Sequence, residues 1–94
     1  MFITWNAIKD MIKAKGKDNV LFTMNVTKKT LLQDEEMKLD FKIVETELRM
    51  IDENYKVMLV PVVEKYAESY KRDFYVEDLA SLIEKGKIVM SVND

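Results

Sequence analysis

From residue 3 onward the apolar positions recur at helical spacing, with Trp5, Ile8, Met11 and Ile12 sharing one face of a helix over 4–15. Thr4 suits the N-cap, because its hydroxyl can accept a hydrogen bond from a free backbone N–H of the first turn. Ile3 before the cap and Ile8 inside the helix form the apolar pair that sets the chain's angle of entry. Lys13 and Lys15 lie at the negative end of the helix dipole, and Gly16 supplies the backbone freedom at which such a helix ends. After the turn at Lys17, Asp18 and Asn19 the period changes to two. Val20, Phe22, Met24 and Val26 point one way and Thr23, Asn25 and Thr27 the other, with Leu21 as the exception. That alternation predicts a strand over 20–27 with one buried face.

Residues 28–36 are a polar connection in which Leu31 and Leu32 are expected to fold back onto the core. A second strand begins near Met37, with Met37, Leu39, Phe41 and Ile43 on its inner face. Past Ile43 the apolar set becomes Val44, Leu48 and Met50. A strict period of two cannot change phase in this way, since a shift of one residue reverses every side chain. A β-bulge or break near 43–46, or a strongly bent strand, would accommodate the change. Asp52, Glu53 and Asn54 make a hairpin turn, followed by a third strand over 55–63 that is almost wholly apolar from Val57 to Val63. Pro61 lacks a backbone donor and therefore belongs at an edge or at the strand's end.

The stretch 64–74 fits two periods. Val63, Tyr66, Ala67, Tyr70 and Phe74 suit a helix, whereas Tyr66, Tyr70, Phe74 and Val76 also suit an alternating strand; the helical reading over about 63–71 is favoured. A clearer helix over 76–85 has Glu77 and Asp78 at its start and Leu79, Leu82 and Ile83 inward, with Gly86 as its stop. Ile88 to Val92 closes the chain as a short strand. The expected order is α-β-β-β-α-α-β: one α+β domain over residues 1–94, with a small antiparallel sheet of about four strands and two or three helices on one face.

Composition removes several kinds of chemistry. The 94 residues include no cysteine and no histidine. Disulfides, thiolate metal ligands and cysteine nucleophiles are therefore absent. So are the usual general base near neutral pH, the Ser-His-Asp arrangement and the commonest zinc ligand. A small domain without disulfide staples is expected in the cytoplasm. Lys9 and Asp10 come too early for a signal peptide, and no stretch approaches the roughly 20 apolar residues that cross a bilayer.

Net charge is −2, but its distribution is uneven. Residues 1–33 set Lys9, Lys13, Lys15, Lys17, Lys28 and Lys29 against Asp10 and Asp18, a balance of +4. Residues 34–53 set Asp34, Glu35, Glu36, Asp40, Glu45, Glu47, Asp52 and Glu53 against Lys38, Lys42 and Arg49, a balance of −5. Those eight carboxylates are a candidate surface for a basic protein partner, such as one that handles nucleic acid. The more ordinary reading is that an exposed strand uses them to discourage edge-to-edge aggregation. The lysines of the first helix and of the 28–29 loop could touch phosphates. No arginine stands among them to make bidentate base contacts, so direct nucleic-acid binding is not expected.

Signals for enzyme chemistry are weak. Asp40 and Lys42 share one face of the second strand in the acid-x-lysine step used by metal-dependent nucleases, but no further acid is well placed. Asp34, Glu35 and Glu36 lack the ligand spacing of an EF-hand. Gly16 and Gly86 read as helix stops, which leaves no phosphate-binding glycine loop. Tyr66, Tyr70, Phe74 and Tyr75 are either core packing or an aromatic binding patch. The methionines, chiefly Met11, Met24, Met37, Met50, Met58 and Met90, read as adaptable core filler.

No catalytic residue, metal or cofactor is expected. The expected function is stoichiometric protein–protein binding, in the manner of a small phage or mobile-element accessory or inhibitor protein. The composition, rich in lysine, isoleucine and methionine, suits an AT-rich genome of that kind. A nucleic-acid-binding regulator is the first alternative and a small metal nuclease the second. A homodimer formed through the final strand or the Pro61 edge is compatible with all three.

Overall fold

Alternating side chains need a surface to bury against, and the fold is the consequence. A computed structural model describes residues 3–44 and 55–93. Its elements are α1 (Trp5–Lys15), β1 (Val20–Lys28), β2 (Glu35–Ile43), β3 (Lys56–Pro61), β4 (Arg72–Tyr75), α2 (Val76–Glu84) and β5 (Val89–Val92). The strands form one antiparallel sheet in the order β4-β3-β2-β1-β5. Phe22 of β1 opposes Phe41 of β2, and both are fully buried. Around that rung one continuous core gathers Val20, Met24 and Val26 of β1, Leu39 and Ile43 of β2, and Val57 and Leu59 of β3. Trp5, Ile8 and Ile12 of α1 and Val76, Leu79 and Ala80 of α2 complete it. The two helices touch each other and share that core, so both lie on the same side of the sheet. Among the described residues no element covers the other side.

Local chemistry sets the ends of α1. Thr4 Oγ1 accepts a hydrogen bond from the Ala7 N–H at 3.3 Å. At the far end Gly16 has φ 89°, and its N–H donates to the Ile12 carbonyl at 2.7 Å. The Asn19 side-chain amide donates to the Lys15 carbonyl at 2.8 Å, satisfying an acceptor the helix leaves free. Residues Lys17–Asn19 make a single 3-10 turn, which returns the chain directly into β1 and lays α1 back over the sheet. Met11 does not join the inner face; it is 39% exposed. The stem of Lys9, 7% exposed, is packed instead, as a long aliphatic chain allows.

The helix expected over 63–71 does not form. Residues Glu64–Tyr66 make one 3-10 turn, Tyr70 N–H adds a bond to the Tyr66 carbonyl at 3.0 Å, and the chain then extends as β4. The order is therefore α-β-β-β-β-α-β, with five strands and two α-helices among the described residues. Backbone satisfaction explains the difference. Lys56, Val57, Met58 and Leu59 of β3 pair with Tyr75, Phe74, Asp73 and Arg72 of β4. A helix in that place would have left those buried β3 backbone groups without partners. Pro61 is the last residue of β3 and lies beyond the rungs shared with β4, where a missing N–H costs nothing. The expected bulge near 43–46 falls largely outside the described residues; Ile43 ends β2, and Val44 N–H donates to the Met58 carbonyl at 3.1 Å. The expected hairpin turn at 52–54 also lies outside them.

Helix α2 follows β4 without a linker, and Val76 N–H donates to the Tyr55 carbonyl at 2.9 Å. It ends in a Schellman arrangement: Lys87 N–H bonds the Leu82 carbonyl at 2.9 Å and Gly86 N–H bonds the Ile83 carbonyl at 3.1 Å. Gly86 has φ 77°, a conformation that costs a residue with a Cβ about 1 kcal/mol. A Cβ there would meet nothing within 4 Å, so the backbone effect stands alone. Gly86→Ala is expected to lower stability by about that amount in urea unfolding, with an unchanged m-value; a loss of several times that size would mean the cap is not what fixes this residue.

Candidate functional site

The hairpin β1–β2 outgrows the rest of the sheet. Its rungs run from Phe22↔Phe41 to Lys28↔Glu35. On the outer side β5 reaches only Thr23, and on the other β3 reaches only Phe41, with one further bond from Val62 N–H to the Asp40 carbonyl at 2.9 Å. Beyond those points the hairpin is, among the described residues, a two-stranded ribbon. Met24, Val26 and Leu39 still face the core, but every residue from 27 to 36 is exposed.

At the end of that ribbon Leu31 and Leu32 are 104% and 97% exposed. The expectation that they fold back onto the core is overturned. The turn carrying them is fixed by its own hydrogen bonds: Thr30 Oγ1 accepts from the Gln33 N–H at 3.1 Å and donates to the Gln33 carbonyl. Lys29 Nζ and Asp34 Oδ2 close the neck at 3.0 Å. Thr30, Leu31, Leu32, Gln33 and Glu35 line an open hollow of about 560 Å³. Two leucines wholly in water at the tip of a braced hairpin differ in kind from scattered surface apolar residues. No period in the sequence marks them, since the turn interrupts both strand patterns. The available signal was their position between two charged clusters, which could not follow them into a core.

The eight carboxylates do not come together as one acid face among the described residues. Glu36 and Asp40 alternate with Lys38 and Lys42 along the open side of β2. Asp40 Oδ1 accepts the Thr23 hydroxyl at 2.6 Å, Asp34 is paired with Lys29, and Glu35 stands opposite Lys28 in register. Glu45, Glu47, Asp52 and Glu53 lie outside the described residues. The aromatic set divides between two faces. Tyr66, Tyr70 and Phe74 pack against the core, with the two tyrosine rings edge-on at 5.6 Å. Tyr75 is 43% exposed and carries the Lys56 ammonium 4.9 Å from its ring centroid. Met58, expected inside, is exposed, and Met37 and Met90 are half-buried. Met50 lies outside the described residues.

The basic third of the chain is also separated. Lys15 and Lys17 precede β1, and Lys28 and Lys29 end it; at about 3.3 Å per residue the two groups stand roughly 30 Å apart. Lys9 is packed, and Lys17 lies 3.4 Å from Asp18. Asp40 and Lys42 share the open face as expected, but among the described residues no three carboxylates group closely enough to hold a metal ion. No helix among them is long and apolar enough to cross a membrane.

Thr30→Ala removes both bonds that brace the tip. Global stability should change by less than about 0.5 kcal/mol, because the site is exposed and remote from the core. Amide hydrogen exchange at Gln33 should accelerate severalfold, and unchanged exchange there would show that Thr30 does not hold the turn. No protein-family model, curated protein or solved structure matches this chain.

Proposed function

We propose that this protein acts by stoichiometric binding to another protein, without catalysis, and that the β1–β2 tip is the docking element. The observation that carries the proposal is the complete exposure of Leu31 and Leu32 on a turn already braced for contact. Burying a leucine side chain is worth about 1.5–3 kcal/mol, so an apolar pocket that accepts both would supply most of a useful affinity. Bracing reduces the ordering cost on association. Lys28 and Lys29 rim the tip on one strand, with Asp34, Glu35 and Glu36 on the other. A pocket with an acidic edge and a basic edge would therefore read its orientation. Charge on those residues 28–36 comes to −1, which favours a partly basic protein surface over an anionic membrane. An accessory or inhibitor protein of a phage or mobile element would work in this manner, and a nucleic-acid-handling partner would provide the basic edge.

The paired substitutions Leu31→Ser and Leu32→Ser should leave stability within about 0.5 kcal/mol of the parent, because neither side chain is buried. Affinity for a partner captured from the native host, measured by calorimetry, should fall about 100-fold, as expected for roughly 3 kcal/mol of lost apolar burial. Glu35→Lys with Glu36→Lys should weaken the same complex in a salt-dependent way. A complex that tolerates loss of both leucines would eliminate the tip as its docking element.

A further inference from the structure

The two edges of the sheet are built differently. β4 carries Arg72 and Asp73, charges of the kind that keep an edge from pairing with another chain. β5 reads Val89, Met90, Ser91 and Val92, with no charge and no proline, and its register with β1 runs without a bulge. Val89 is 58% exposed. The strand is nevertheless held firmly on its inner side. Its four residues pair with Thr23, Phe22, Leu21 and Val20, and Asn93 N–H donates to the Asn19 carbonyl at 2.8 Å just beyond them.

That last bond sets the direction of every main-chain group in β5. In an antiparallel pair, directly opposed residues alternate between those that exchange hydrogen bonds and those that do not. Asn93 opposite Asn19 is a bonded pair, so Ser91 opposite Leu21 and Val89 opposite Thr23 are bonded as well. The N–H and C=O groups of Met90 and Val92 therefore point away from β1, toward the side on which no described strand pairs. Their side chains lie on the helix side, half-buried against the core, while those of Val89 and Ser91 lie on the open side.

We propose that β5 pairs antiparallel with β5 of a second copy, about a two-fold axis through Ser91. On that axis Met90 opposes Val92 of the other copy, and each such pair exchanges two hydrogen bonds, giving four in all. Every outward group of Met90 and Val92 is then satisfied. The two Ser91 residues meet as the close, non-bonded pair, with Cα atoms about 4.5 Å apart; a small neutral side chain fits there. No like charges face each other across the seam. On the helix side, Met90 and Val92 of each copy continue the apolar rows of the other, and two five-stranded sheets become one of ten strands. An interface made by one pair of four-residue strands belongs to the weak, reversible class.

Sedimentation equilibrium from micromolar to millimolar protein tests this directly. The parent should show a monomer–dimer equilibrium, and a monomer throughout would overturn the proposal. Ser91→Lys and Ser91→Glu each place like charges together on the axis and should weaken the dimer at least tenfold. A one-to-one mixture of the two variants should restore a dimer containing one of each. Dimerisation undiminished in both variants, or no recovery on mixing, would refute the axis at Ser91. If either variant fails to keep the parent's far-ultraviolet circular dichroism, hydrogen exchange of the parent decides instead. Protection of the Met90 and Val92 amides should rise with concentration, and concentration-independent exchange would refute the pairing. The variant lacking Leu31 and Leu32 should dimerise like the parent, so failure of this proposal and failure of tip docking are distinguishable.

Discussion

The structure depends on one requirement, that a sheet with a single apolar face be covered on that face and on no other. Phe22 and Phe41, opposite each other and fully buried, state the requirement most sharply. A slip of one residue in either strand would exchange them for Thr23, Asp40 or Lys42 and would desolvate polar groups without partners. Register is thus fixed by side-chain chemistry. The helices then satisfy the requirement by short routes. A single 3-10 turn returns the chain from α1 to β1, and α2 begins at the residue after β4 ends. Neither helix has enough slack to reach the open face.

The same requirement explains why part of the hairpin is bare. An 11-residue helix rises about 1.5 Å per residue and spans roughly 16 Å, whereas a nine-residue strand at about 3.3 Å per residue spans roughly 30 Å. Helix α1, laid back over the strand that follows it, is too short to cover all of β1. Burial along β1 accordingly stops at Val26, and β2 becomes buried only from Leu39. Between those points the ribbon has hydrogen bonds but no core. Its persistence depends on cross-strand neighbours such as Thr27 and Glu36, and on the turn bonds of Thr30. The exposed leucines are the end of a strand pair that is longer than its cover.

Much of this was legible in the residues. The alternation of Val20 to Val26 and of Met37 to Ile43, the cap at Thr4 and the stops at Gly16 and Gly86 all express local preferences that agree with the final packing. Where the reading failed, the deciding partner was distant in sequence. Tyr66 and Tyr70 do sit four residues apart on one face, and their rings touch; the turn nevertheless goes no further, because β3 needs a ladder partner and only extended chain supplies one. Met11 matches the period of its helix yet lies outside the core, since period gives a direction and not the width of the cover; Met58 sits in an unbroken apolar run with no period and falls on the face away from Val57 and Leu59. Leu31 and Leu32 defied the general tendency of leucine to be buried. The carboxylates of 34–40 looked like an acidic surface in linear order, but Lys29, Lys38, Lys42 and Lys28 stand beside or across from them. Linear charge balance cannot anticipate cross-strand pairing.

The two proposed contact elements lie at opposite ends of β1. β5 pairs with its first residues, Val20 to Thr23, and the leucine tip follows its last, Lys28. Pairing of β5 with its symmetry mate would make the two β1 strands antiparallel across the joined sheet, with three strand pairings between one Val20 and the other. The two tips would then point in opposite directions, each well clear of the seam. Such a dimer could not close both tips on one small partner, but it could bridge two partner molecules or two sites on a larger assembly. Avidity would follow only when the spacing of those sites matched the rigid span of the sheet. The geometry that leaves the hairpin uncovered in one copy therefore sets, in the pair, what kind of target could engage both ends.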